Sequence, residues 1–135
     1  MKLSIDASGP AGVDVVWDRY IHPQRWSEWS PQISSVDCSD ETIRAGSTGT
    51  VHGPCGIGVD FEILQLDDEK RCWNWRVKAA FVTLELLHGV EPTAAGDGET
   101  RGTRTTLEIS GPAPIVIGYA PIARIALGRL VRGPS

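Results

Sequence analysis

The sequence predicts an α+β fold, in which a curved antiparallel sheet of six or seven strands wraps around a C-terminal helix, with two short helices after the first strand. Up to about residue 110, most segments alternate apolar and polar residues, the period of a half-buried strand. Residues 10–29 instead show helical spacing, and the only long apolar run, residues 111–132, follows the last strand. Strands joined by short links favour an antiparallel sheet, and one long helix covers only one of its faces.

The C-terminal apolar run is predicted to be the helix that covers the sheet. Its charges after residue 111 are Arg124, Arg129 and Arg132, which at ~100° per residue share an arc of roughly 140° and leave a wide apolar face. An interior proline removes a helix hydrogen bond, so Pro121 predicts a kink or break near Tyr119. A soluble cover helix is favoured over an interfacial or partner-binding helix. A membrane span is disfavoured because charges interrupt the run.

The remaining elements follow from the same two periodicities. An amphipathic helix beginning at Pro10 ends near His22, and a second short helix or turn covers residues 24–29. A polar, glycine-rich hairpin loop is expected at residues 92–102. Strands are predicted at 2–7, 33–38, 48–53, 57–64, 71–77, 81–90 and 103–109. No internal repeat is visible, so residues 1–135 are expected to form a single domain.

Composition disfavours several classes of function. A net charge of −4 gives no basic surface for nucleic acid. Three widely spaced cysteines favour free thiols over a zinc site or a disulfide scaffold, and no cofactor is expected. The alternating N-terminus has no apolar core of a signal peptide, so a cytoplasmic protein without stable membrane insertion is expected. A homodimer is left open.

The aromatic residues and one histidine predict an internal cavity. Five tryptophans exceed what a core of this size requires, so some of them are expected to line a space. Apolar pockets with a few placed polar groups are the usual small-molecule sites. Trp26 is expected near the mouth of this cavity. The predicted ligand-binding residues are Trp26, Phe61, Trp73, Trp75, Leu84, Leu86, His88 and Tyr119.

His88 has two interpretations. Alternation places it on the inner face with Leu84 and Leu86, either as a hydrogen-bonded core histidine or as a ligand contact or proton donor. Familiar catalytic motifs are absent from the sequence, so His88 is only a weak catalytic candidate. A reactive pair of Cys55 with His52, three residues apart in a glycine-rich turn, is a minor alternative.

Several segments also carry a resemblance to a known superfamily. They are VWDRYIHPQRWSEWSPQI (16–33), GTVHGP (49–54), CWNWRV (72–77), LLHGVEP (86–92) and GTRTTLEISGP (102–112). The chain resembles, over nearly its whole length, the SRPBCC or START-like superfamily, which includes polyketide cyclases and dehydrases, lipid-transport proteins and the birch pollen allergens. The resemblance implies a helix-grip fold with a hydrophobic cavity. It implies no catalytic residue, because the superfamily has no universal catalytic motif. A short terminal helix containing Pro121 departs from the pattern and leaves cavity closure open.

Two main functions are compatible with these features. One is binding or transport of a small hydrophobic or aromatic molecule, lipid-like or polyketide-like. The alternative is a polyketide cyclase or dehydratase acting in the same cavity, which also needs an acid or base within reach of the substrate. The inner face supplies His88 and no convincing second group, so binding is favoured, with a protein-binding module as a minor third hypothesis.

Overall fold

The computed structural model describes residues 1–53, 56–94 and 100–132. Its strands are β1 (Lys2–Gly9), β2 (Ser35–Cys38), β3 (Thr48–His52), β4 (Gly58–Asp67), β5 (Cys72–Ala79), β6 (Val82–Ala94) and β7 (Thr100–Ser110). Its α-helices are α1 (Val13–Ile21), α2 (Trp26–Trp29) and α3 (Ala113–Leu130), with a 3₁₀ turn (Pro23–Arg25) before α2.

The seven strands form one antiparallel sheet in the order β1-β7-β6-β5-β4-β3-β2. Each strand neighbours the next one in the chain, except that β1 pairs with β7. Register shifts occur in β4 between Ile63 and Gln65 and in β6 between Pro92 and Ala94, and such bulges bend a sheet. The predicted α+β architecture is confirmed, including the two short helices that follow the first strand.

Alternation decides which side chains of the central strands face the helix layer. In β6, Leu86, His88 and Val90 are buried, whereas the intervening Leu87 is exposed. In β7, alternation predicts an inner set of Thr103, Thr105, Leu107 and Ile109, and all four are buried. The register places His88 opposite both Trp73 and Leu107. Period-two alternation therefore brings the aromatic residues of β5 beside His88 on one face.

Helix α3 is continuous from Ala113 to Leu130, so Pro121 does not break it, and of the predicted kink or break the break is wrong. A proline lacks the N–H that would bond the carbonyl four residues earlier, here that of Ile117. Both residues are exposed, so water is able to hydrate this carbonyl. By length and mean hydropathy, 1.3 over 18 residues, α3 resembles a membrane span, and 33% of it is buried in the fold. The core helix of a soluble protein meets the same criteria.

The C-terminal end of α3 is tied to the rest of the fold. The buried Arg19 guanidinium donates from Nη1 to the carbonyl oxygens of Leu130 (2.7 Å) and Arg132 (3.0 Å). The backbone N–H of Ala11 donates to the Val131 carbonyl oxygen at 3.0 Å. Gly9 approaches that carbonyl so closely that a Cβ at Gly9 would overlap it. These contacts hold one end of the helix against β1 and α1.

One predicted loop is shorter than expected. Residues 92–102 were predicted to form a polar hairpin loop, but β6 extends to Ala94 and β7 begins at Thr100. The centre of the predicted loop, residues 95–99, lies outside the described residues. Ala94 pairs with Thr100, so β6 and β7 stay paired beyond the residues that alternate apolar and polar. Pairing continues there because backbone hydrogen bonds do not require apolar side chains.

Candidate ligand cavity

A partly open cavity of about 510 Å³ lies between the inner face of the sheet, α2 and α3. This volume lies within the ~300–1,000 Å³ usual for small-molecule sites. The predicted site residues that line it are Trp26, Trp73, Trp75, Leu84, Leu86, His88 and Tyr119. Phe61 is buried but is absent from the wall, because its ring packs against Trp26 (5.6 Å between centroids) and Trp75 (5.4 Å). Their role in binding a ligand stays a prediction.

Stacked aromatic rings form one side of the cavity. Trp73 lies between the His88 ring, with centroids 4.5 Å apart and planes at 12°, and Trp26, at 5.8 Å and 19°. Trp75 contacts the edge of this stack, 5.1 Å from Trp26. Trp26 is 1% exposed, so the expectation that it lies near the mouth is wrong. Its indole N–H donates to the Tyr20 carbonyl oxygen at 2.8 Å, which draws α2 inward.

The hydrogen bonds of His88 determine its tautomer. An indole N–H only donates, so Trp75 Nε1 donates to His88 Nε2 (3.1 Å), and this nitrogen is unprotonated. The proton of the neutral ring is therefore on Nδ1 and is donated to the Tyr20 hydroxyl at 3.2 Å. That hydroxyl donates to Thr105 Oγ1 (2.6 Å), which donates to the Gly89 carbonyl oxygen (3.0 Å). Both ring nitrogens are thus engaged by the protein.

Burial keeps this network neutral. It lowers the pKa of His88 to about 3, because a charged imidazolium would lose its hydration. Burial also raises the pKa of Tyr20, an effect that its hydrogen bond to Thr105 partly offsets. Tyr20 lies beside His88, where a second catalytic group would be needed, but its hydroxyl is hydrogen-bonded and its side chain does not line the cavity. These contacts fit the hydrogen-bonded core interpretation of His88.

The described part of the cavity wall carries no charge. None of its residues is Asp, Glu, Lys, Arg or Cys. Its polar members besides His88 include Gln32, Tyr119 and Trp73. Gln32 Nε2 donates to the Tyr119 hydroxyl at 2.8 Å, whereas Gln32 Oε1 and Trp73 Nε1 are buried and have no hydrogen-bond partner among the described residues. Burial raises the pKa of Tyr119, which keeps the phenol protonated.

Other sequence predictions concern residues outside the cavity wall. From the alternation, Arg76 and Glu85 are predicted to face outward, where they could pair on the surface, and their Nη2 and Oε1 atoms do lie 3.4 Å apart there. His52 Nε2 lies 2.7 Å from Asp37 Oδ2. Cys55, its suggested partner, lies outside the described residues. Within the described residues, no group of three His, Cys, Asp or Glu side chains is placed to hold a metal ion.

Sequence reasoning missed several wall residues. Trp29 lies on the wall three residues after Trp26, and that helical spacing was the available signal. Ile33 was assigned to a strand, although it precedes β2. Gln32 lies in the turn between α2 and β2 and had no periodicity to mark it. Which residues of α3 line the cavity, Ala123 among them, depends on how the helix packs against the sheet.

The chain belongs to the family described as polyketide cyclase / dehydrase and lipid transport, whose pattern it matches over residues 2–133. This membership agrees with the resemblance seen in the sequence and with the helix-grip fold. No curated protein sequence shows a significant match.

Solved structures with the same fold have low sequence identity to this chain. An uncharacterized protein from Bacillus thuringiensis superposes with a TM-score of 0.77 at 13% identity, covering 97% of this chain and 96% of its own. Protein XoxI from Bacillus cereus gives 0.76 at 13%, covering 96% and 92%. The di-domain ARO/CYC BexL from the BE-7585A biosynthetic pathway gives 0.77 at 16%, covering 97% of this chain but 45% of BexL. At these identities the similarity shows the fold alone.

Proposed function

We propose that the protein binds or transports a small hydrophobic or aromatic molecule in the internal cavity, without catalysing a reaction on it. The observation that carries this proposal is the wall of the cavity, which is apolar, rich in aromatic rings and free of charged side chains among the described residues. Burying a ligand of this kind against indole rings is favourable at roughly 25 cal/mol per Å² of apolar surface.

The enzymatic alternative needs an acid or base that is free to exchange a proton with the substrate. His88 is the titratable imidazole on the wall, but its Nε2 accepts from Trp75 and its Nδ1 donates to Tyr20. With a pKa of about 3, it holds no second proton near neutral pH. A cyclase or dehydratase reaction would require breaking this network, so binding is the better-supported function.

Uptake of the neutral apolar dye N-phenyl-1-naphthylamine tests the proposal. Its fluorescence should rise on binding, with about one equivalent bound per chain. In Leu84→Trp, the larger side chain fills cavity space, and we expect the dye affinity to fall by about tenfold or more. Leu87→Trp is the matched control, because Leu87 lies on the same strand but on the exposed face.

The proposal is wrong if the wild-type protein takes up no dye, or if both tryptophan variants lose affinity equally. Solvent extraction of the purified protein, followed by mass spectrometry, would identify a co-purified ligand. Turnover of that ligand by the wild-type protein would support the enzymatic alternative instead.

A further inference from the structure

Gln32 and Tyr119 form a polar site on an otherwise mainly apolar wall. Gln32 comes from the turn between α2 and β2, and Tyr119 comes from the N-terminal half of α3. Both side chains line the cavity, and Gln32 Nε2 donates to the Tyr119 hydroxyl at 2.8 Å. Gln32 Oε1 is buried and has no hydrogen-bond partner within the described chain. A buried acceptor without a donor is costly to the folded protein.

The pair leaves one acceptor and one donor unused. The acceptor is Gln32 Oε1, and the donor is the proton of the Tyr119 hydroxyl, whose only partner among the described residues is the Gln32 amide. Exchanging the amide oxygen and nitrogen would make the phenol donate to Gln32 and would leave an amide N–H and a phenol lone pair. Either orientation therefore offers one donor and one acceptor to a bound molecule.

We propose that the cavity selects a molecule with an apolar, ring-containing body and one neutral hydroxyl group, which hydrogen-bonds to Gln32 and Tyr119. This inference rests on the proposed binding function and adds the chemical class of the ligand. A hydroxyl both donates and accepts, which matches the acceptor and the donor that the Gln32–Tyr119 pair leaves unused.

Other ligand classes fit this site less well. A pure hydrocarbon would leave Gln32 Oε1 unpaired. A carboxylate or phosphate would be buried without a counter-charge, because the described wall contains no Lys or Arg, and burying an unpaired charge is strongly unfavourable. The Tyr119 phenol stays neutral because burial raises its pKa, so it remains available as a donor to an oxygen.

Three ligands with one ring system test the inference by displacing N-phenyl-1-naphthylamine. They are 2-methylnaphthalene, 2-naphthol and 2-naphthoate, which present a methyl, a hydroxyl and a carboxylate group. The variants are Tyr119→Phe and Gln32→Leu, on two different elements, with melting temperatures measured for both. We expect each variant to bind 2-naphthol about tenfold more weakly, and 2-methylnaphthalene with less than about a twofold change. Wild type should bind 2-naphthoate at least about tenfold more weakly than 2-naphthol.

Equal losses for the hydroxyl and methyl ligands would overturn the inference, since the variants would then only change the shape of the cavity. Tight binding of 2-naphthoate by wild type would also overturn it. In both outcomes the cavity still binds apolar molecules, so the proposed function survives. If wild type binds neither the dye nor any of the three ligands, the proposed function itself fails. A variant that does not fold leaves the other variant and the wild-type ligand preference to decide.

Discussion

Burying His88 affects stability in two ways: its hydrogen bonds stabilise the fold, and its protonation in acid destabilises it. Replacing His88 with Phe separates these two effects. The substitution keeps an aromatic ring but removes the acceptor of Trp75 Nε1 and the donor to the Tyr20 hydroxyl. A buried polar group left without its partner costs ~1–3 kcal/mol. At about pH 7.5, where the histidine is neutral in both states, His88→Phe should therefore be less stable than wild type by about this amount.

At low pH the order of stability should reverse, so that His88→Phe becomes more stable than wild type. Burial lowers the pKa of His88 from 6.5 to about 3, so the unfolded chain binds more protons than the folded one between these values. The stability associated with neutral His88 is complete above pH 6.5 and is lost as the pH falls toward 3. At 1.36 kcal/mol per pKa unit, wild type loses about 1.4 kcal/mol by pH ~5.5 and about 2.7 kcal/mol by pH ~4.5.

Urea unfolding, followed by tryptophan fluorescence at a series of pH values, measures this reversal. We expect the two stabilities to cross between about pH 4.3 and 5.8, because the acid loss there equals the ~1–3 kcal/mol cost of the substitution. Other acidic groups titrate in both proteins and cancel in the difference. His88→Gln is the matched control: it does not titrate, so relative to wild type it should show the same pH slope as His88→Phe.

A stability difference that stays constant from about pH 7.5 to 4.5 would refute the reasoning, because it would mean that His88 takes up protons equally in both states. Reduced dye affinity in His88→Phe, without any loss of stability, would instead make His88 a ligand contact and contradict the hydrogen-bonded core interpretation.

Two further substitutions test how α3 is held. Arg19→Met should lower the free energy of unfolding by ~2–4 kcal/mol, because it removes the buried charged donor to the Leu130 carbonyl; an unchanged urea midpoint would show that this contact is not needed. Pro121→Ala restores the helix hydrogen bond to the Ile117 carbonyl and should raise stability by ~1–3 kcal/mol in thermal unfolding. The control Pro114→Ala, in the first turn, should show little gain, and an equal gain in both variants would contradict the explanation.

Local periodicity predicted the sheet because strand geometry allows only two side-chain directions. Once Leu84 and Leu86 are assigned to the inner face, His88 lies there as well, and the structure confirms this. Arg76 and Glu85 are assigned to the outer face by the same alternation and pair there. Such predictions succeed because each depends on a few consecutive residues.

The polar contacts of the site could not be predicted in this way because their partners are distant in the chain. Tyr20 belongs to the apolar stripe of α1, yet its hydroxyl contacts His88, 68 residues further on. Gln32 and Tyr119 are separated by 87 residues. Hydrogen bonds of this range depend on how helices dock onto the sheet, which periodicity does not describe. The predicted break at Pro121 was wrong for a related reason, since the cost of the lost hydrogen bond depends on whether the unpaired carbonyl reaches water.

The unequal attachment of the two ends of α3 has a consequence for ligand exchange. Arg19 and the Val131 carbonyl secure the C-terminal end, whereas Ile115 and Ile122, in the part that lines the cavity, remain partly exposed. Segments with fewer buried contacts open at lower free energy than the whole fold. The N-terminal turns, up to the missing hydrogen bond at Pro121, should therefore open at lower free energy than the C-terminal turns. Such local opening would widen the cavity without unfolding of the sheet.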